Sequence, residues 1–180
     1  MNNIFLETKR LLLEPLDMKH FSDKYVSWLN TKEVVEFNRH GVFPNNDLKT
    51  KEYINSVQQS VYCIVLAMID KDSQKHIGNI AIQNIDFINS NADVSIMIGD
   101  KVFWGKGYAY EAYEVIINHA FNTLNLHKIY IGTSENNIGM NKVAEKLGMK
   151  KDGIKRDALY KNGEYFDIHE YSILKNEFYE

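Results

Sequence analysis

The chain has 180 residues, of which 44% are hydrophobic, and 21 basic residues against 24 acidic ones leave a formal net charge of −3. This length suits a single domain over residues 1–180, and the apolar fraction can fill a packed core, so disorder is excluded. The near balance of charge argues against a nucleic-acid binder, and no run of about 18 apolar residues could span a membrane. With one cysteine, Cys63, and no visible secretion signal, we expect a cytoplasmic protein.

Hydrophobic periodicity and turn residues predict short elements in the first half of the chain. In chain order they are a strand at residues 10–16, a helix capped by Asp17 to about 30, a weaker helix at 32–37, a loop at 38–46, a helix capped by Asp47 to about 60, and strands at 61–69 and 76–87 joined by a hairpin turn at 71–74.

The second half has clearer signals. Its predicted elements are a strand at residues 92–98, a helix at 108–124, a strand at 128–133, a helix from Asn137 to Gly148, and two strands that flank the type I′ turn signal Asn162-Gly163. Asp93, Ser95 and Met97 share one face of the strand at residues 92–98. The order of elements indicates an α/β fold, a mixed sheet with helices on both faces, and not a Rossmann repeat.

A glycine-containing loop at residues 102–109 joins a predicted strand to a long helix. Gly105 and Gly107 would let the backbone turn tightly and expose successive N–H groups, and the helix N-terminus adds the positive end of its dipole. Such a loop can hold a pyrophosphate. The P-loop pattern is absent, and the dinucleotide fingerprint lacks its third glycine.

Two segments in this order resemble the GNAT superfamily of acetyl-CoA-dependent N-acetyltransferases. Residues 104–109 look like its R/Q-x-x-G-x-G/A pyrophosphate loop, with Gly107 and Ala109 at the small positions and Trp104 in place of the usual Arg or Gln. Residues 137–149 look like its second cofactor segment.

Both ends of the chain also resemble the ribosomal-protein N-acetyltransferase branch, at residues 8–16 and 162–167. The resemblance thus covers nearly the whole chain. It implies a mostly antiparallel mixed sheet with a splayed strand pair for CoA, and acetyl transfer to a primary amine by direct attack.

The resemblance also implies cofactor contacts. Backbone amides of residues 103–108 would hold the CoA pyrophosphate, the strand at Met97 and Ile98 would pair with pantetheine, Asn137 would bond the pantetheine amides, and Lys142 would reach the adenosine phosphate. The implied cofactor-binding residues are Met97, Ile98, Phe103, Trp104, Gly105, Lys106, Gly107, Tyr108, Ala109, Asn137 and Lys142.

The proton transfers need a base and an acid. An amine is mostly ammonium at pH 7, so a carboxylate is the expected base, and Asp93 matches the position of a glutamate in many relatives. We expect Asp93 to act through a water held by Ser95, and a strand amide near Met97 or Ile98 to donate to the thioester oxygen. The usual proton-donating Tyr and Ser fall at Ala144 and Met140. The remaining candidates are Tyr130, Asn141 and Tyr160.

The acceptor is less constrained by the sequence. A protein N-terminal amine is the first expectation, an aminosugar or sugar nucleotide the second and a polyamine the third, and a homodimer is possible. Candidate acceptor-binding residues are Trp28, Arg39, His40 and Tyr160. Arg39 would suit a phosphorylated sugar, whereas a polyamine would need clustered carboxylates. The six histidines show no metal-ligand spacing, so no metal is expected.

Two other classes of function stay open. Ala144 and Met140 would suit a CoA-binding module without catalysis, and the loop alone would suit another nucleotide. The charge is also uneven, because residues 142–156 carry six basic against two acidic residues and residues 157–180 carry the reverse.

Overall fold

In a computed structural model, which describes residues 3–179, eight strands form one sheet. The strands are β1 (Leu6–Glu7), β2 (Leu11–Pro15), β3 (Ile64–Asp70), β4 (His76–Asp86), β5 (Asn91–Ile98), β6 (Lys128–Ser134), β7 (Lys150–Lys161) and β8 (Glu164–Leu174). Their order across the sheet is β1-β2-β3-β4-β5-β6-β8-β7. Every neighbouring pair is antiparallel except β5 and β6, which are parallel.

Helices cover both faces of the sheet, which confirms the predicted α/β architecture. They are α1 (Asp23–Trp28), α2 (Asp47–Gln58), α3 (Tyr108–Asn122), α4 (Ile138–Lys146) and α5 (Lys175–Phe178). No helix within residues 3–179 is long and apolar enough to cross a membrane.

The two faces of the sheet bury separate clusters, because successive strand side chains point in opposite directions. In β3, Met68 belongs to the larger cluster with α3 and α4. Its neighbour Ala67 belongs to the smaller cluster, which α1 and α2 cover with Tyr25, Trp28 and Ile54. The larger cluster fixes the helix that follows the glycine loop, and the smaller one lies beneath α1 and α2.

The single helix predicted from Asp17 to residue 30 is wrong, because two caps compete. Asp17 caps only a 3-10 helix, Met18–His20. The chain is then extended at Phe21 (ψ 130°), and the Ser22 side chain accepts the N–H of Tyr25 to start α1. A second capping residue so close to the first favours a break over a continuous helix.

The weaker helix predicted at residues 32–37 is also wrong. This segment forms turns, in which the N–H groups of Val34 and Val35 both return to the carbonyl of Thr31. Their β-branched side chains have low helix propensity, and the segment is too short to offset it. The cap of α2 is Asn46, one residue before the predicted Asp47.

The elements predicted in the second half are confirmed within one or two residues, including α3, which was predicted to end at 124 and stops at Asn122. Asn162 and Gly163 both have positive φ, 54° and 90°, as a type I′ turn requires. Asn137 caps α4 by accepting the N–H of Met140, and Gly148 follows the helix with φ 74°.

We predict that Gly99→Ala destabilises the fold. An ideal Cβ at Gly99 would lie 1.9 Å from Cδ2 of the buried Trp28, so the indole would have to move. Overpacking of this kind costs about 1–3 kcal/mol, measured as the free energy of unfolding in urea. Gly153→Ala is the control, because nothing lies within 4 Å of its Cβ position. Equal effects of the two substitutions would contradict the packing argument.

Candidate functional site

The parallel strands β5 and β6 pair at only three positions and then separate. The pairs are Asn91 with Lys128, Ala92 with Ile129, and Asp93 with Tyr130. Beyond them β5 continues to Ile98 and β6 to Ser134, each paired only on its other side. The result is a wedge-shaped gap in the sheet, with Asp93 and Tyr130 at its closed end.

One backbone edge of β5 faces this gap. The N–H of Gly99 donates to the carbonyl of Ile77, next to β4. Because backbone groups alternate along a strand, those of Ile98, Ile96 and Val94 point away from β4 and toward the gap. Side chains satisfy two of these carbonyls. The O–H of Tyr113 donates to the Val94 oxygen at 3.1 Å, and Nε1–H of Trp104 donates to the Ile98 oxygen at 2.7 Å. Ile96, between them, presents its backbone groups to the gap.

The backbone of Met97 does not face the gap as predicted. Its carbonyl oxygen would lie 2.2 Å from a Cβ at Gly78, so it points toward β4. Of the two predicted strand positions, Ile98 therefore faces the gap and Met97 does not. Which residues of β5 turn their backbone toward the gap depends on the register with β4, which we did not predict from the sequence. Ile96 is the residue missed for this reason.

The glycine loop ends at the N-terminus of α3. Gly105 and Gly107 have φ of 69° and 82°, a left-handed conformation that favours glycine. Gly107 is the N-cap and has no side chain to accept the first helical N–H groups. These donors lack intrahelical acceptors and point outward at the positive end of a 15-residue helix.

Fewer loop amides are available than predicted. The N–H of Phe103 already donates to the Asp100 carbonyl, and that of Trp104 to Lys101. Phe103 instead packs edge-on against the ring of Tyr108. The donors for an anion are therefore the amides from Gly105 onward.

Arg10, which the sequence did not single out, holds the loop from beneath. Its Nη1 donates to the carbonyl of Lys106 at 2.9 Å, and its Nε donates to Glu111 at 2.7 Å. The guanidinium carbon lies 4.1 Å from the ring centroid of Tyr108. Arg10, directly before β2, thus connects the loop to Glu111 of helix α3.

The start of α4 lies beside the open end of β6. Asn141 donates through Nδ2 to the carbonyls of Ser134 and Asn137, at 3.0 and 2.9 Å, and its Oδ1 accepts the O–H of Tyr171 at 2.9 Å. Its amide is thus bonded on both sides and holds the β6–α4 connection, a structural role that supplies no acidic proton. Lys142 is exposed on α4, and Ala144 is buried in the larger cluster.

Asp93 lies at the closed end of the gap, on the face that carries the smaller cluster. Gln83, across the β4–β5 ladder, donates through Nε2 to Asp93 Oδ2 at 2.7 Å. Burial raises the pKa of the Asp93 carboxyl, while the Gln83 hydrogen bond and the Lys155 charge act against the rise. Burial and then the Asp93 charge also raise the pKa of Tyr130. Gln83 is a site residue that only the strand register could have revealed.

A cavity of about 420 Å³ lies between the sheet and the α1–α2 side. Ser95, Ile96 and Met97 of β5 contribute to its wall, so it borders the part of β5 that β6 leaves unpaired. Gln83 also lines it, next to Asp93. The predicted acceptor residues Arg39 and His40 lie in the same wall, together with Lys49, which the sequence did not indicate.

Two predicted acceptor residues lie elsewhere. Trp28 is 4% exposed and packs against His76 and Tyr25 beneath the cavity. Tyr160 is on β7, 59% exposed, and stacks on Tyr165 across the hairpin. The sequence placed Trp28 on the apolar stripe of a helix and Tyr160 beside a hairpin turn, but neither pattern shows whether the side chain faces the cavity. Within residues 3–179, no cluster of three or more metal-ligating side chains occurs.

This combination of a parted parallel strand pair and a glycine loop at a helix N-terminus agrees with the family comparisons. The sequence model of the acetyltransferase (GNAT) domain matches residues 10–150. The chain therefore belongs to the GNAT acetyltransferase family, and it is an acyltransferase.

Individual relatives support the same family. "Uncharacterized N-acetyltransferase p20" of Bacillus licheniformis is 27% identical over 96% of this chain and 97% of its own length. "Putative ribosomal N-acetyltransferase YdaF" of Bacillus subtilis is 36% identical over 56% of this chain and 54% of its own. The crystal structure of spermidine N-acetyltransferase from Vibrio cholerae with CoA and spermine superposes with a TM-score of 0.84, at 21% identity over 95% of this chain and 99% of that one, which shows a shared fold.

We predict that Asp93→Asn stabilises the protein at neutral pH. Because the folded state raises the pKa of this carboxyl, ionising it costs folding free energy, and that cost appears as the pH rises above the ordinary value. Asparagine removes the charge and keeps an acceptor for Gln83. We expect Tm to rise by roughly 2–4 °C at pH 7, and the difference to vanish at acid pH.

Asp152→Asn is the matched control for this measurement. Lys128 donates to the Asp152 carboxylate at 2.6 Å and lowers its pKa, so the sign is opposite. We expect Tm of this variant to stay level or fall, since exposed ion pairs contribute little. A fall in Tm for Asp93→Asn at pH 7 would show that the carboxylate stabilises the fold.

Proposed function

We propose that this chain transfers an acetyl group from acetyl-CoA to a primary amine bound in the cavity beside β5. The observation that carries the proposal is the gap between β5 and β6, which opens between the loop at α3 and the cavity. Along this gap the backbone groups of Ile96 and the N–H of Ile98 are available to bond the amides of an extended arm, while the Ile98 carbonyl already accepts from Trp104. At the closed end of the gap, the Asp93 side chain lies on the same face of the sheet as the cavity.

Two further observations of this structure fit CoA. Thr133 lies on β6 beyond the last pair with β5, and its buried hydroxyl has no hydrogen-bond partner within residues 3–179. Gly107 supplies a surface without a side chain at the α3 N-terminus. Amides from Gly105 onward would hold the pyrophosphate, and Asn137 and Lys142 would contribute as the family resemblance implies.

Acetyl-CoA supplies a thioester, from which the acetyl group passes to the amine nitrogen as the C–N bond forms and the C–S bond breaks. The amine must first lose a proton, and Asp93 would accept it directly or through a water held by Ser95. The raised pKa of Asp93 makes it a stronger base than an exposed aspartate. An N–H of β5 facing the gap, from Ile96 or Ile98, would donate to the thioester oxygen. The leaving sulfur takes its proton from Tyr130 or from solvent.

The charge and size of the cavity favour some of the predicted acceptors over others. A polyamine carries several positive charges, and no acidic residue lines the cavity within the described part of the chain. A protein N-terminus, suggested by the resemblance and by the name of YdaF, would have to enter a space of about 420 Å³ as an extended segment. Pockets of about 300–1,000 Å³ are typical of small-molecule sites, which favours the aminosugar alternative.

Gly107→Glu should reduce CoA affinity by about 100-fold or more, because a carboxylate at the helix N-terminus would displace and repel the pyrophosphate. The measurement is calorimetric titration of CoA. Gly163→Glu is the control for backbone strain, since Gly163 has φ 90° in an open hairpin turn far from the loop. If the two variants bind CoA alike, the loop assignment is wrong.

The pH dependence of kcat/KM tests Asp93 as the base. In the unsubstituted protein, the rate should fall as the pH drops through the raised pKa of Asp93, because the protonated carboxyl accepts no proton. Asp93→Asn should lower the rate by about 100-fold or more and remove this dependence.

Gln83→Leu gives the second arm of the same test. Loss of its hydrogen bond to the carboxylate should raise the pKa of Asp93 and move the acid limb to higher pH. Gln58→Leu is the matched control, because Gln58 donates to the Leu16 carbonyl and does not line the cavity. An acid limb that stays in place in both Asp93→Asn and Gln83→Leu would assign the base to another group.

A further inference from the structure

The wall of the cavity has an uneven charge. Three basic residues, Arg39, His40 and Lys49, line it, and no acidic residue within the described chain does. Arg39 and Lys49 are exposed at the open end, whereas Asn79 is buried at the opposite end and Gln83 and Ser95 are half-buried. The positive groups therefore lie near the entrance and neutral polar groups lie toward the sheet.

The charge near the entrance comes from Arg39 and Lys49. Burial, with the nearby Lys161 charge, lowers the pKa of His40, so its imidazole is mostly neutral at pH 7. Lys49 donates to the Pro44 carbonyl at 3.0 Å, a bond that holds the side chain without neutralising it. Arg39 makes no ion pair or side-chain hydrogen bond within residues 3–179, so all five of its N–H donors can serve a ligand.

The inner end of the cavity adds no further positive charge. Asn79 is hydrogen-bonded to His76 at 2.9 Å, and burial lowers the pKa of His76 to about 4, so that imidazole is neutral. Gln83, which lines this end, donates to the Asp93 carboxylate at 2.7 Å. A ligand in the cavity would thus meet two cations at the entrance, and its inner end would lie beside Gln83, which bonds the Asp93 carboxylate.

We propose that the acceptor is a small amine that also carries a phosphate or carboxylate group, which Arg39 and Lys49 bind at the entrance while the amine points toward Asp93. This inference rests on the proposed function and names its substrate class. An amine with an anionic group matches both ends of the cavity, and a guanidinium suits either anion because it can form two parallel hydrogen bonds. A polycation would meet repulsion from Arg39 and Lys49.

The test measures thiol release from acetyl-CoA with three amines that share the glucosamine ring and differ in the anionic substituent it carries, and with two amines of other kinds. Glucosamine is the neutral member, glucosamine 6-phosphate adds a phosphate, and muramic acid adds a carboxylate to the same aminosugar. Spermidine and a short neutral peptide with a free N-terminus complete the panel. We expect kcat/KM for one or both anionic amines to exceed that for glucosamine at least tenfold, and the comparison of phosphate with carboxylate identifies the anion.

Substitutions connect the preference to the two cations. Arg39→Gln and Lys49→Gln should each raise KM for the preferred anionic amine about 10- to 100-fold, the effect of losing a charge-assisted hydrogen bond. KM for glucosamine should change less than KM for the anionic amine, and KM for acetyl-CoA should stay unchanged. Arg39→Lys should recover part of the loss. Lys32→Gln is the matched control, since this exposed lysine does not line the cavity.

The outcomes separate the two proposals. Thiol release that is as fast with glucosamine, spermidine or the peptide as with the anionic amines overturns the anionic acceptor and leaves the acetyltransferase proposal standing. An anion preference that survives both Gln substitutions overturns the assignment to Arg39 and Lys49. Absence of thiol release with every amine, while CoA binds, overturns the proposed function and the inference with it.

Discussion

The short pairing of β5 with β6 is the constraint on which the rest of this site depends. A strand edge released from its neighbour leaves backbone groups that must find other partners. Here the hydroxyl of Tyr113 and the indole N–H of Trp104 take two of the released carbonyls, those of Val94 and Ile98. Tyr113 belongs to α3 and Trp104 to the loop before it, so the contacts that stabilise the open edge also position the glycine loop. The gap and the anion-binding loop are therefore parts of one arrangement.

Strand β5 contacts the larger cluster, the cavity and the gap, because successive side chains and backbone groups along a strand point in alternate directions. Ala92 and Val94 pack in the larger cluster, Asp93 and Ser95 turn to the cavity side, and the edge at Ile96 faces the gap. A shift of one residue against β4 would exchange core and cavity side chains, so the register is strongly specified. Gly78 and Gly99 protect that register, since a Cβ at either would collide with Met97 or with Trp28.

Most of the fold could be predicted, because its second half has long periodic elements and strong turn residues such as Asn162 and Gly163. The errors occurred where a local choice was nearly balanced, as at Phe21, where a second cap interrupts the helix, or where the outcome depends on distant contacts. The glycine loop was proposed from its residue types and order, and Asp93 from its residue type and the family resemblance. Ile96, Gln83 and Lys49 were missed, because their relevance comes from strand register and from loop packing, and Trp28 and Tyr160 were assigned to a surface they do not reach.

The segment at residues 31–46, which carries Arg39 and His40, is fixed to the rest of the protein by side-chain hydrogen bonds. Asn45 and Asn30 exchange hydrogen bonds, and Lys161, at the end of β7, donates to the carbonyl of Val35 at 3.0 Å. None of these contacts involves the glycine loop or the edge of β5. The ion pair of Glu33 with Lys101 connects the segment to the turn before the glycine loop, but Arg39 and His40 lie outside that contact. Under the proposed function, substitutions at these two positions would alter which amine binds without displacing the loop. Such separation gives a fold of this kind a simple route to new acceptors, since variation can be confined to the exposed part of the segment that carries Arg39 and His40.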